Sequence, residues 1–166
     1  MQNDLYQLAE RLGLLLLAGG HKLALAESCT GGWIGQAVTA VSGSSEWYDR
    51  GFIAYSNDSK QELLGVPAET LARAGAVSEA AAREMARGAL AKSRAQLAVA
   101  VSGVAGPTGG TPGKPVGTVC IAWAREGIEP YSVTRHFHGD REAVRRQAVA
   151  EALGGLLDLA QGRKVQ

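Results

Sequence analysis

The chain is poor in the residue types that announce most functions. It has two cysteines, Cys29 and Cys120, far apart and in no metal-ligand spacing. That excludes a disulfide framework and suits a reducing, cytoplasmic compartment. Aromatic residues make up only 5%, too few for a platform on which bases would stack. Basic and acidic residues nearly balance, leaving a formal net charge of +1, so no strong field points to nucleic acid or an anionic membrane. The longest apolar run, at 14–18, falls far short of the ~20 residues of a membrane span. The segment MQNDLYQLAERLG is polar and amphipathic and does not read as a signal peptide. His136 and His138 flank Phe137 on a predicted strand and so share a face, but two histidines are one ligand short of a catalytic zinc site. Neither a metal nor a cofactor is expected.

What the chain does have is bulk and glycine. Its 166 residues are 46% apolar, enough for the core of one domain spanning 1–166. Its 22 glycines cluster at 31–35 and 103–117 rather than spreading as a linker would. Leucines at 5, 8, 12, 15 and 16 predict an amphipathic helix over about 4–18, stopped by Gly19 and Gly20. KLALAES at 22–28 reads as a buried strand, followed by a helix over about 31–41 capped by Ser28 or Thr30. GFIAYSN at 51–57 reads as a second strand. A short helix capped by Asn57 or Asp58 follows, then another opening at Pro67. Ser78 caps a longer helix to about 93. QLAVAVSG at 96–103 has no charge, as fits the centre of a parallel sheet. Two strands at 117–124 and 131–139, joined by 125–130, form an antiparallel hairpin, and Asp140 caps a last helix to about 160. Such alternation means an α/β fold: a mixed, mostly parallel sheet with helices on both faces.

In open α/β sheets, ligands bind beyond the carboxyl ends of the strands. The first strand ends in Glu27, Ser28 and Cys29. The second ends in Tyr55, Ser56 and Asn57, with Lys60 one turn later, and the third in Ser102 and Gly103. Ser28 stands before a helix that starts with Thr30, Gly31 and Gly32, whose N–H groups could hold a phosphate or an oxyanion. It is also a plain helix cap in pattern. Cys29 is the rival nucleophile, or a small buried residue. Lys60 falls in a first turn, where the helix dipole disfavours its charge and would lower its pKa. Tyr55 either relays a proton or buries its ring.

The loop SGVAGPTGGTPGKPVG fails as a phosphate-binding P-loop: Thr108 stands where the first glycine belongs, and Pro115 where Ser or Thr is required. It remains a glycine-rich loop, with Ser102, Gly103, Gly106 and Thr108, able to approach a ligand closely. In GDREAVRRQAV, Arg141 or Arg145 could reach an anionic substrate.

Together AESCTGG, YSNDSK, GAVSEAAAREMARGAL, VSGVAGPTGGTPGKPVGTV and GDREAVRRQAV resemble the C-terminal domain of the CinA family, the competence/damage-inducible proteins. The resemblance covers about residues 5–160, without that family's N-terminal nucleotide-pyrophosphatase domain, as in its standalone members. It implies a three-layer α/β/α sandwich with a five-stranded sheet and a dimer. It implies a metal-independent serine amidase that hydrolyses the carboxamide of nicotinamide mononucleotide to nicotinate mononucleotide and ammonia. Its catalytic residues would map onto Ser28, Lys60 and Tyr55. Thr30, Gly31, Gly32, Asn57, the loop from Ser102 and Arg145 would then contact the nucleotide, the one small-molecule partner expected. A nucleotide-binding module without turnover, or an amidase for another substrate, are the alternatives that ammonia release distinguishes.

Overall fold

In the computed structural model, which describes residues 2–166 and the side chains from residue 4 onward, the strands alternate large and small residues. In β1 (Leu23–Glu27), Leu23 and Leu25 alternate with Ala24 and Ala26. In β3 (Leu97–Gly103), Leu97, Val99 and Val101 alternate with Ala98 and Ala100. In β4 (Thr118–Arg125), Val119, Ile121 and Trp123 alternate with Cys120, Ala122 and Ala124. Successive side chains of a strand point to opposite faces, so the sheet has one bulky face and one alanine face. The bulky face packs under α1 (Gln2–Gly19), α2 (Trp33–Thr39) and α6 (Arg141–Ala160). The alanine face packs under α3 (Asn57–Leu64), α4 (Ala68–Ala74) and α5 (Glu79–Ala91). The result is a three-layer α/β/α sandwich.

Adding β2 (Tyr48–Ile53) and β5 (Ile128–His136), the five strands lie in the order β2-β1-β3-β4-β5. β1 pairs in parallel with β2 and β3, whereas β4 is antiparallel to both β3 and β5. Only β4 therefore runs against the others, as a mixed, mostly parallel sheet requires. Ser78 and Asp140 cap α5 and α6 by accepting from the N–H groups of Ala81 and Ala143.

The edge strands depart from the sequence reading. β2 spans 48–53 rather than 51–57, and a single 3-10 turn at Ser44–Glu46 precedes it. Being half exposed, β2 lacks a sharp apolar pattern, and its last ladder bond, from Ala54 N–H to the Glu27 carbonyl (2.9 Å), comes before the chain turns into α3. The cap of α3 is Ser56, whose hydroxyl accepts from Ser59 N–H, rather than Asn57 or Asp58. β5 starts at Ile128, after a tight turn through Gly127, and includes Pro130. An edge strand tolerates a proline because a missing outward N–H costs no ladder bond. His138 lies beyond the strand, so it does not share a strand face with His136.

Candidate active site

The site is built where β1, β2 and β3 end side by side. Ser28 follows β1 directly, and its N–H is held by the Val101 carbonyl of β3 at 3.0 Å. The chain then turns sharply. Gly31 and Gly32 have φ of +59° and +104°, conformations that an L side chain resists. These two glycines serve the turn. α2 starts only at Trp33, and neither Ser28 nor Thr30 caps it.

The cap is Glu27. Its buried carboxylate accepts from the Thr30 hydroxyl (2.7 Å) and from the N–H groups of Gly32 (3.2 Å), Ile34 (2.9 Å) and Gly35 (3.0 Å). A negative group at a helix N-terminus meets the positive end of the dipole and satisfies donors left over by the helix. The expectation that these α2 amides await a substrate oxyanion is therefore revised, because Glu27 already occupies them. An acid inside an otherwise apolar strand was the signal for this role in the sequence.

Lys60 enters from the other side. α3 is pressed against α5 so closely that a Cβ on Gly88 would lie 1.9 Å from the Leu64 carbonyl oxygen. This packing leaves the Lys60 side chain only 1% exposed. Its Nζ donates to Ser28 Oγ at 3.0 Å and to the Tyr55 carbonyl at 2.9 Å. Among the described residues no carboxylate pairs with it. Burial favours the neutral amine and pulls its pKa below the ordinary value.

Cys29 packs in the core of the bulky face, and burial pushes its thiol up to about 11. The thiolate that a cysteine nucleophile needs is thus disfavoured. The Tyr55 ring is exposed, and its hydroxyl accepts a long hydrogen bond from Arg141 (3.5 Å), while its carbonyl serves Lys60.

A cleft of about 350 Å³ opens over Ser28 and Lys60. Tyr55, Asn57, Ser102, Gly103, Gly106 and Thr108 all line it, as does Arg141, and no carboxylate does. Ser102 Oγ is engaged by donating to the Ala76 carbonyl (2.8 Å). Thr30, Gly31, Gly32 and Arg145 lie off the lining. Thr30 is fully buried on Glu27. Arg145 stacks over Trp33 (5.4 Å) and donates to the carbonyls of Cys29 (3.0 Å) and Thr30 (3.1 Å). Among the described residues no three His, Cys, Asp or Glu side chains converge as a metal site needs, and no helix is long and apolar enough to cross a membrane.

The model of the CinA C-terminal domain matches residues 5–160. The chain is 52% identical over 151 residues to the nicotinamide-nucleotide amidohydrolase PncC of Escherichia coli (strain K12), covering 91% of this chain and 92% of that protein. It is 54% identical over 152 residues to the Pseudomonas putida protein of the same name, covering 92% and 94%. Among solved structures, the competence/damage inducible protein CihA from Agrobacterium tumefaciens superposes with a TM-score of 0.91 at 44% identity, over 94% of this chain and 95% of that one. Sequence and fold agree over nearly the whole length, and the chain belongs to the CinA C-terminal domain family.

Proposed function

We propose that the chain is a serine amidase that hydrolyses the carboxamide of nicotinamide mononucleotide to nicotinate mononucleotide and ammonia. One observation carries the chemistry: a buried lysine without a carboxylate partner, 3.0 Å from a serine oxygen at the mouth of a cleft. The relatives named nicotinamide-nucleotide amidohydrolase, at about half of all positions identical, support the substrate.

With Lys60 neutral, the Ser28 hydroxyl donates its hydrogen bond to the Nζ lone pair. As Oγ attacks the amide carbon, its proton moves to Nζ and an Oγ–C bond forms. The tetrahedral adduct collapses by breaking the C–N bond, and the Lys60 ammonium protonates the departing nitrogen, which leaves as ammonia. Water then attacks the acyl-serine and loses a proton to Lys60. The Oγ–C bond breaks, Ser28 regains its proton from Lys60, and the acid product departs as the carboxylate, its remaining proton passing to solvent. The Tyr55 carbonyl keeps Nζ aimed at Ser28 throughout, and the Tyr55 ring closes one side of the cleft mouth. Arg141, Asn57, Thr108 and the glycine loop surround the nucleotide phosphate and ribose. A cleft lined by the Arg141 cation and by no carboxylate suits a phosphate-bearing ligand.

The test is ammonia release from nicotinamide mononucleotide. Turnover is expected in the parent chain and a loss on the order of 10⁴–10⁶-fold in Ser28→Ala. Binding of the nucleotide without ammonia release by the parent chain would indicate a binding module, and near-normal turnover by Ser28→Ala would remove the serine from the mechanism.

A further inference from the structure

Arg145 reaches the nucleophile turn from α6, far away in sequence, and what it touches there is backbone. Its Nε donates to the Cys29 carbonyl at 3.0 Å and its terminal nitrogen to the Thr30 carbonyl at 3.1 Å. The guanidinium face rests on Trp33 at 5.4 Å, which fixes the plane of the fork. The Ser28 carbonyl, one unit earlier, accepts from Gly31 N–H at 3.0 Å. The carbonyls of Ser28, Cys29 and Thr30 are therefore all held. A planar trans peptide carries the next residue's N–H opposite its C=O: Arg145 on the Thr30 carbonyl sets the Gly31 N–H, Gly31 N–H holds the Ser28 carbonyl, and the Ser28 carbonyl sets the Cys29 N–H.

Those amides matter because the neighbouring ones are taken. Gly32, Ile34 and Gly35 give theirs to Glu27, and Gly31 and Trp33 give theirs within the turn. Among the described residues the amides of Cys29 and Thr30 have no acceptor in another residue, and of the two it is Cys29, directly after the nucleophile, that lines the cleft, Thr30 being fully buried. An N–H in that position is suited to the negative oxygen that develops when Ser28 attacks.

We infer that Arg145 is a positioning residue for acyl transfer: it locks the 28–31 turn from beneath, so that Ser28 Oγ and the Cys29 N–H face the same carbonyl group of the substrate. This rests on the serine-amidase reading of the site. It gives the two arginines of the α6 start different work, Arg141 in the cleft and Arg145 under the turn.

The experiment is steady-state hydrolysis of nicotinamide mononucleotide by Arg145→Lys and Arg145→Met, with Arg141→Ala and Ser28→Ala in parallel and thermal midpoints for all. A lysine cannot bridge both carbonyls as the fork does. The expected result is a kcat lowered by about 10²-fold in both Arg145 variants with KM within about threefold of the parent, the size of losing an oxyanion donor. Arg141→Ala is expected to act mainly on KM. Should Arg145→Met fail to fold, Arg145→Lys carries the test. A raised KM with kcat preserved would make Arg145 a direct substrate ligand and overturn the inference, as would unchanged kinetics. Ser28→Ala separates the two readings. If it is inactive while Arg145→Lys is normal, only the positioning role falls; if it turns over, the serine reading falls and takes the positioning role with it.

Discussion

At one end of the sheet, where β3 begins and β4 turns into β5, a depression of about 530 Å³ is lined by Arg87, Arg94, Arg125, Glu126 and Glu129 among others. At the opposite end, beyond the carboxyl ends of β1 and β3, the cleft of about 350 Å³ holds Ser28, Lys60 and Arg141. The first is larger and richer in charge, yet much of its charge is spent locally. Arg87 pairs with Glu84 and Glu129, and Arg125 donates to the Leu159 carbonyl. In the second, a lysine is withdrawn from water, has no counter-ion among the described residues and is aimed at a hydroxyl. Volume and charge density therefore do not mark the candidate active site. What separates the two regions is that one leaves a titratable group destabilised in its charged form, which costs stability and, in the proposed mechanism, supplies the base.

The sharpest way to break this comparison is to remove that group. Lys60→Met keeps the length and loses the proposed base, and kcat is expected to fall by about 10³-fold. The parent enzyme's kcat/KM should rise with pH as Lys60 loses its proton, at a midpoint below the ordinary lysine value of 10.5, because burial lowers it. Stability follows the same group. The unfolded chain keeps this proton up to the ordinary value while the folded chain releases it earlier, so the unfolded state binds more protons in between. Stability should therefore rise with pH across that window, and Lys60→Met should remove the rise. A pH–rate midpoint at or above 10.5 would show that burial does not act on the base as described.

The next largest effect contrasts two glutamates. Glu27→Ala strips the acceptor from the N–H groups of Gly32, Ile34 and Gly35 and from the Thr30 hydroxyl, where the turn runs into α2. Chemical denaturation should show a loss of about 2–4 kcal/mol. Glu129→Ala, at the other end, removes a side chain that is 89% exposed, and should cost less than ~0.5 kcal/mol with ammonia release unchanged. Equal costs would erase the distinction between the two ends.

The smallest effect is expected at Cys29. Cys29→Ala should leave kcat within about threefold of the parent, since burial disfavours its thiolate and the substitution keeps the backbone N–H to which the oxyanion role is proposed. A large loss would move the nucleophile from Ser28 to its neighbour.

Much of the fold is legible along the chain. The alternation of Leu and Val with Ala in β1 and β3 marks buried strands, and Ser78 and Asp140 mark helix starts, because both signals act over a few residues. β2 and β5 are less legible because edge strands need no full apolar pattern, and β5 admits Pro130. Ser28 and Lys60 stand out separately as polar groups near strand ends. The contact between them does not, since 32 residues separate them. Glu27 is harder still: a carboxylate reaching forward to cap the helix after a double-glycine turn matches no local capping pattern, in which the cap is a Ser, Thr, Asp or Asn beside the helix.

The sequence by itself determined the layers, the strand cores and the cluster of polar residues at one end of the sheet, because periodicity and capping are interactions between near neighbours. Tertiary structure alone decided which of those polar groups are spent and which are free. Glu27 consumes the α2 amides, Arg145 takes the turn's carbonyls, and the packing of α3 against α5 buries Lys60 beside Ser28. Desolvation and hydrogen-bond satisfaction depend on every group that the fold brings into contact, and that information is held in no single stretch of the chain.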